Sequence, residues 1–251
     1  IGIGNAIIGS LLAWVVLGRR TKVMTQHLNS KTMPDFFGER YGSKALKITA
    51  SAIVFIFLVP YTASVYNGLS RLFGMAFNIP YKYCVIGMAV FTGIYVILGG
   101  YMATAINDFI QGIIMLGGIV AVILAVLNGQ GGFIQAIKTM AEIPSDVPVT
   151  MGQPGAFTSF FGPDPLNLLG VVILTSLGTW GLPQMIHKYY GIRDDQEVKR
   201  GTVISTAFAF VVAGGGYFIG SLSRLFFTSL EEIPGAGSGK TDYLIPNMLK
   251  M

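Results

Sequence analysis

The sequence predicts an all-α, polytopic membrane protein, and two observations carry this prediction. Of its 251 residues, 52% are hydrophobic and only 12% are charged, which is about half the charged fraction of an average soluble domain. Six mostly apolar stretches also approach or exceed the roughly 20 residues that a helix needs to cross a hydrocarbon core of about 30 Å. A water-soluble domain is therefore excluded.

The positions of the apolar stretches give the predicted elements in order. The six spans cover residues 1–18, 48–70, 83–99, 103–127, 166–186 and 201–223. Apolar residues at helical spacing predict two shorter helices, over residues 34–41 and 133–142, each lying along a membrane surface. The first span opens at Ile1 without an initiator Met or a signal peptide. We therefore expect the chain to begin within a span, as part of one transmembrane domain over residues 1–251.

Basic residues in the connections predict the orientation of the spans. The connection over residues 19–47 carries seven Lys or Arg residues, and the connection over residues 188–200 carries four. Cytoplasmic loops hold the excess of such residues, so both connections are expected in the cytoplasm. An even number of spans separates them, as a shared side requires. Because the basic residues form no stripe interleaved with aromatics, no nucleic-acid partner is expected.

Asp108 is the sole Asp, Glu, Lys or Arg within the six spans. A carboxylate near the bilayer centre costs about 3 kcal/mol on insertion scales, so it is expected to face other helices and to bind a cation or carry a proton. The alternative is a structural role. Asp is favoured near a helix N-terminus, where it gains about 0.3 to 1 kcal/mol, and a helix that starts near Ala103 would place Asp108 just beyond that turn. Both interpretations remain open on the sequence alone.

The fifth span contains the segment TSLGTWGLPQ over residues 175–184. Proline lacks an amide proton and glycine unwinds easily, so this segment is expected to interrupt its helix and to expose backbone groups to a ligand. Such unwound backbone survives in a membrane where it lines a cavity, and interrupted spans form binding sites in secondary transporters. The alternative is a simple proline kink.

The second span carries a polar strip that begins at Pro60 and Tyr61 and includes Thr62, Ser64 and Asn67. One face of this strip could line a cavity. Alternatively, its side chains form hydrogen bonds between helices, each contributing about 0.6 kcal/mol.

Other features are interpreted as structural. The spacing of Gly216 and Gly220 predicts a close approach between helices. His27 and His187 have no partner at metal-ligand spacing, and Cys84 is the lone cysteine, so no metal site is predicted. Residues 235–241 resemble a phosphate-binding loop, but Pro234 stands in place of its first glycine and no suitable strand precedes it. Neither a catalytic triad nor a pair of carboxylates is present, so an enzyme is not expected.

Four segments resemble those of the sodium:solute symporter family. They are TMPDFFGERY over residues 32–41, GGYMATAINDFIQG over 99–112, GLPQ over 181–184 and TDYLIP over 241–246. The sequence departs from the family's pattern at Asn107, where threonine is usual, and at Thr179, where proline-transporting members have an aromatic residue. Its Gly-Leu-Pro run is more like the pantothenate branch.

The resemblance implies a leucine-transporter-like, inverted-repeat fold. This chain would hold core helices two to seven of it, so the domain over residues 1–251 would be incomplete at both ends. The family's main sodium site lies on the first and eighth core helices, outside this chain. Asp108 matches an acidic position implicated in cation coupling, which implies a possible sodium ion near it. Tyr61 and Thr62 match substrate-side positions. The resemblance also places an unwound part of the sixth core helix here, so the solute path would include Gly178, Thr179, Trp180, Gly181, Pro183 and Gln184.

By the resemblance, the expected function is sodium-coupled symport of a small organic solute, such as an amino acid, vitamin or carboxylate, into the cell by alternating access. The expected location is the plasma membrane, with multiple spans in the lipid bilayer. Sodium would be the coupling ion, and no organic cofactor is implied. The alternative function is a symporter-like membrane sensor module of a signalling protein. A channel is less well supported, because no filter-like or charged pore motif is visible.

Overall fold

A computed structural model describes residues 1–227, 232–233 and 244–248 of the chain. In these ranges the chain is almost wholly helical. No strand occurs in those ranges. The helices, in chain order, are α1 (Gly2–His27), α2 (Met33–Tyr41), α3 (Lys44–Phe77), α4 (Tyr81–Gly100), α5 (Met102–Gly129), α6 (Phe133–Glu142), α7 (Pro165–Trp180), α8 (Pro183–Tyr190), α9 (Asp195–Leu222) and α10 (Leu244–Met248).

Five of these helices, namely α1, α3, α4, α5 and α9, are long and apolar enough to cross a membrane. The pair α7 and α8 passes the same test together, bent by 49°, and gives a sixth candidate span if the pair crosses the membrane as one broken helix rather than as a re-entrant loop. The prediction of an all-α, polytopic membrane protein is therefore confirmed. Several helices extend beyond the predicted spans, because helical winding continues past the apolar part that was used to predict them.

Local sequence explains where several helices end. Thr32 caps α2, since its hydroxyl accepts a hydrogen bond from the Asp35 amide at 3.2 Å, and Gly42 ends this helix in the left-handed conformation. Asn78 ends α3 in the same way, with the Ile79 amide bonded to the Gly74 carbonyl at 3.2 Å. The short helices predicted over residues 34–41 and 133–142 are both present, as α2 and α6.

The boundary between α4 and α5 is a break at Gly100. Its backbone angles, φ 57° and ψ −157°, lie outside every helical region and are open in practice to glycine alone. Here one glycine divides a run of helical residues into two candidate spans.

The chain divides into two compact units, of which the first contains residues 1–59 and 164–217. In this unit, α1 packs closely against α7 and α9 through glycines. A Cβ on Gly4 would lie 2.6 Å from Val172 Cγ1, and one on Gly201 would lie 2.7 Å from the Trp14 ring. Gly2 meets the backbone of Gly214 in the same manner. Small residues at these points let the helices approach each other.

The expectation that Gly216 and Gly220 mediate close helix packing is wrong for the described part of the chain. Nothing lies within 4 Å of the place where a Cβ would stand on either residue. The close approaches on α9 occur at Gly201 and Gly214 instead, because α1 meets this helix at those two points.

Charged residues join the two basic connections within the first unit. Arg19 and Lys22 both contact Asp195, at 3.1 and 3.6 Å, and Lys22 is buried. Lys47 pairs with Asp35 and holds the pKa of that carboxyl below its usual value. The connections over residues 19–47 and 188–200 therefore meet at one end of this unit, as a shared side requires.

The second unit contains residues 60–163 and the chain from Phe218 onward. Its buried apolar cluster joins α5, α6 and the end of α9, and includes Val126, Ala136, Met140, Ile219 and Leu222. Arg224 lies beside this cluster. It pairs with Asp146 at 2.8 Å, which lowers the pKa of that carboxyl, and its guanidinium lies 4.6 Å from the centre of the Phe157 ring.

Two predicted features lie wholly or partly outside the described residues. The rejected phosphate-binding loop, over 235–241, falls there completely. The segment TDYLIP over 241–246 is described only from Leu244, in α10.

Candidate functional site at a broken helix

The broken span is the most distinctive feature of the first unit. Helix α7 ends at Trp180 and α8 begins at Pro183, with Gly181 and Leu182 between them. The backbone of Leu182 is extended, at φ −66° and ψ 128°. The predicted interruption is therefore present, and the bend of 49° over two residues exceeds that of a gently curving helix.

Hydrogen bonds at the break show why the helix stops there. In a continuous helix the Thr179 carbonyl would accept from the amide of residue 183, which is a proline and has none. The Leu182 amide bonds to Thr179 instead, at 3.3 Å, and thus turns away from the Gly178 carbonyl. The Leu182 carbonyl then accepts from Met185 at 2.9 Å and starts α8. The proline therefore ends one helix and begins the next.

Polar side chains lie on both sides of the break. The Trp180 indole donates to the Ile8 carbonyl of α1 at 2.9 Å, and the Thr179 hydroxyl donates to the Ser176 carbonyl at 2.7 Å. Gln184 Oε1 is buried, and no donor in the described part of the chain reaches it. A buried acceptor of this kind is costly unless something else satisfies it. Gln184 Oε1 therefore needs a partner from outside these residues, such as a ligand or a water molecule.

A polar cluster centred on Asn5 lies one turn before the break. Asn5 Oδ1 accepts hydrogen bonds from the hydroxyls of Thr175, at 2.9 Å, and Ser176, at 2.7 Å. Its Nδ2 donates to the Tyr217 hydroxyl at 3.1 Å. One carboxamide thus joins α1, α7 and α9, and sequence reasoning missed it.

The winding of α1 explains why this residue was missed. Residues 5–12 and 14–18 are π-helical, so their backbone bonds join residues five apart. Gly4 and Gly9 both face α7, against Val172 and Ser176, while Asn5 and Ser10 make polar contacts to neighbouring helices. A search of the sequence for residues three or four apart, as on an α-helix, does not find the pairs Gly4/Gly9 and Asn5/Ser10, whose members are five residues apart. The signal that could have found them is a glycine-polar dipeptide repeated after five residues.

Tyr61, Thr62 and Asp108 lie in the second unit, whereas residues 178–184 lie in the first. Tyr61 and Thr62 are exposed on α3. Asp108 is exposed in the second turn of α5, beyond the first turn in which caps act, and it makes no hydrogen bond or ion pair within the described ranges. These positions disfavour a capping role for Asp108.

Asn67, in the polar strip of the second span, forms hydrogen bonds between helices. Its Oδ1 accepts from Tyr81 of α4 at 2.9 Å and from Arg71 at 3.0 Å. Ser64 donates to the Tyr61 carbonyl of its own helix at 2.7 Å. These contacts agree with the interpretation of Asn67 as a side chain that forms hydrogen bonds between helices, rather than as part of a cavity lining.

In the residues that the structure describes, no three His, Cys, Asp or Glu side chains lie close enough to hold a metal ion. The oxygen atoms near the break come instead from hydroxyls, carboxamides and backbone carbonyls. These are neutral groups, suited to weak binding of a polar solute or an alkali cation.

In a comparison with known proteins, residues 2–251 match the model of the family described as "Sodium:solute symporter family". The chain is 26% identical to the sodium/pantothenate symporter of Escherichia coli (strain K12), over 86% of this chain and 43% of that protein. It is 27% identical to the osmoregulated proline transporter OpuE of Bacillus subtilis (strain 168), over 85% and 42%. It is 30% identical to the sodium/proline symporter of Staphylococcus aureus, over 85% and 40%. The chain spans less than half the length of these relatives.

Proposed function

This chain belongs to the sodium:solute symporter family, and we propose from that premise that it forms part of a transporter in which sodium entry drives uptake of a small organic solute. The relatives' names include pantothenate and proline as solutes, so a carboxylate-bearing solute of similar size is the proposed cargo. The transporter is proposed to act by alternating access, through movement of helix bundles relative to one another. Neither an organic cofactor nor a catalytic step is needed.

The observation that carries this proposal is the break between α7 and α8. A helix across a membrane normally satisfies all its backbone groups, and irregular backbone persists where protein or a water-filled cavity surrounds it. Broken spans of this kind hold the substrate in secondary transporters, with helix ends facing the ligand.

Each predicted site residue has a proposed role in this scheme. Residues 178–184 of the first unit contact the solute, with Gln184 offering an unsatisfied oxygen and Trp180 an apolar ring. Tyr61 and Thr62 are proposed as solute-side positions on the family resemblance alone. Asp108 is proposed to couple the cation, with sodium nearby. The connections over residues 19–47 and 188–200 are proposed to face the cytoplasm of a plasma-membrane protein.

The test is uptake of radiolabelled pantothenate, proline and related carboxylates by the full-length protein in proteoliposomes. We expect uptake of at least one solute to require an inward sodium gradient and to fall to background when potassium replaces sodium. Liposomes without protein serve as the control. Absence of sodium-dependent uptake for every solute, with the protein folded in the membrane, would contradict the proposal.

A further inference from the structure

We propose that Asn5 is a positioning residue, whose carboxamide fixes the α7 half of the broken span against α1 so that the break presents its backbone correctly to the solute. This inference rests on the proposed function. It adds a residue of α1 that contacts neither the break nor the predicted solute positions directly.

The three hydrogen bonds of Asn5 use both ends of its carboxamide. Oδ1 accepts from Thr175 and Ser176, and Nδ2 donates to Tyr217. A serine or threonine at this position would have to make all three bonds from one oxygen atom on a shorter side chain, and an apolar side chain could form none of them. The carboxamide of Asn5 therefore links α1 to α7 through its oxygen and to α9 through its nitrogen.

Burial makes the bond to Ser176 the most consequential of the three. Ser176 is 1% exposed, and Asn5 Oδ1, at 2.7 Å, accepts its hydroxyl proton. Without Asn5 this hydroxyl would lose that partner inside the protein, which is unfavourable. Thr175 differs, because its single hydroxyl proton is shared between Asn5 Oδ1 and the Val171 carbonyl, which lies nearer, at 2.7 Å, and remains as an acceptor without Asn5. Loss of the Asn5–Ser176 bond is therefore the change that we expect to shift α7.

The direction of that movement leads to the break. Ser176 lies one turn before Trp180, whose indole is bonded to the Ile8 carbonyl of the same α1 segment. These two contacts fix the rotation and the axial position of the last turns of α7 relative to α1. Because α7 ends at Trp180, a shift of these turns would displace the Gly178 carbonyl and Gly181 directly. Asn5 thus acts on the solute site through α7.

The experiment compares Asn5→Ala, Ser176→Ala and the double variant in the full-length protein, in proteoliposomes. The matched control is Ser205→Ala, which removes a 3.1 Å hydroxyl contact with Ser10 between α1 and α9 without involving α7. The half-saturating solute concentration and the maximal rate are measured at saturating sodium. Size-exclusion profiles and melting temperatures report folding separately.

We expect Asn5→Ala and Ser176→Ala each to raise the half-saturating concentration about three- to tenfold, the scale of one lost hydrogen bond. The double variant should be no worse than the more affected single variant, because the two residues act through one bond. Ser205→Ala should stay within about twofold of wild type. Should Asn5→Ala fail to fold, Ser176→Ala carries the test, since it removes only a hydroxyl.

Two results would overturn the inference. The first is an unchanged half-saturating concentration in folded Ser176→Ala or Asn5→Ala protein, even with a lower melting temperature, which would make the cluster structural alone. The second is additivity of the two substitutions. If wild-type protein takes up no solute with sodium, the proposed function itself fails, and the positioning role falls with it.

Discussion

Asp108 is the residue proposed to couple the cation. It is an acidic residue on an otherwise uncharged helix, and it lies past the first turn of α5, where the helix N-terminus offers no free amide. A charge at such a place must be offset by a counter-ion, by water or by another helix. The resemblance to cation-coupling positions and this placement both favour an ion-binding role.

Replacing Asp108 with alanine should separate ion coupling from capping. We expect Asp108→Ala to raise the sodium concentration needed for half-maximal uptake about tenfold or more, within the usual range of coupling between sites. The matched control is Asp164→Ala, because Asp164 does cap α7 by accepting from the Asn167 amide at 3.0 Å. That variant should lose about 1 kcal/mol of stability while keeping its sodium dependence. Wild-type sodium dependence in folded Asp108→Ala protein would remove the residue from the coupling site.

Single residues differed in how far the sequence could predict their surroundings. Pro183 acts through a missing amide, and Asp108 stands out among apolar neighbours, so both were visible without a structure. Asn5 was not, because its importance lies in which hydroxyls surround it. Two of its partners lie about 170 residues along the chain.

At the scale of elements, the broken span follows from local chemistry and was predictable. Gly181 has no side chain to favour helical winding, and Pro183 removes the amide that would continue the ladder. The spans also followed from apolar length. Their exact ends did not, since caps such as Asp194, which accepts from the Glu197 amide at 2.8 Å, extend α9 well before its apolar part.

Restoring helical chemistry at the break should impair solute binding. The double substitution Gly181→Ala with Pro183→Ala returns an amide and two good helix formers, so α7 should run on toward α8. We expect solute affinity to fall about tenfold, equivalent to about 1.4 kcal/mol. Pro165→Ala is the matched control, because Pro165 occupies the first position of α7, where no amide is needed. Solute binding by isothermal titration, with sodium present, gives the measurement.

Two outcomes define this experiment. Pro165→Ala should bind solute as wild type does. A doubly substituted protein that is folded and binds with unchanged affinity would show that the break is a structural bend without a role in binding.

At the scale of the whole molecule, composition and the lengths of the apolar stretches were enough to predict a multi-pass, all-α membrane protein. The division into two compact units was not predictable, because two of its three boundaries fall inside α3 and α9, where the sequence shows no linker. Orientation rests on the basic connections, and the contacts of Arg19 and Lys22 with Asp195 bring those two connections together.

The orientation can be measured by cysteine labelling in whole cells. In a background with Cys84→Ser and no other reactive thiol, Tyr41→Cys and Met151→Cys place a thiol on one exposed residue of each predicted side. A membrane-impermeant maleimide should label Met151→Cys in intact cells and Tyr41→Cys only after permeabilisation, as the charge bias requires. The reverse pattern would invert the topology, and labelling of both in intact cells would refute the span assignment.

The π-helical winding of α1 affects how the sequences of relatives align with this chain. Gly4 and Gly9 both face α7 across five residues. A relative in which the helix equivalent to α1 is an ordinary α-helix would bring its second glycine to the same place after four. Ungapped alignment columns would then pair residues that lie about 100° apart around the helix. A one-residue gap within residues 5–12 is the placement that keeps equivalent contacts together.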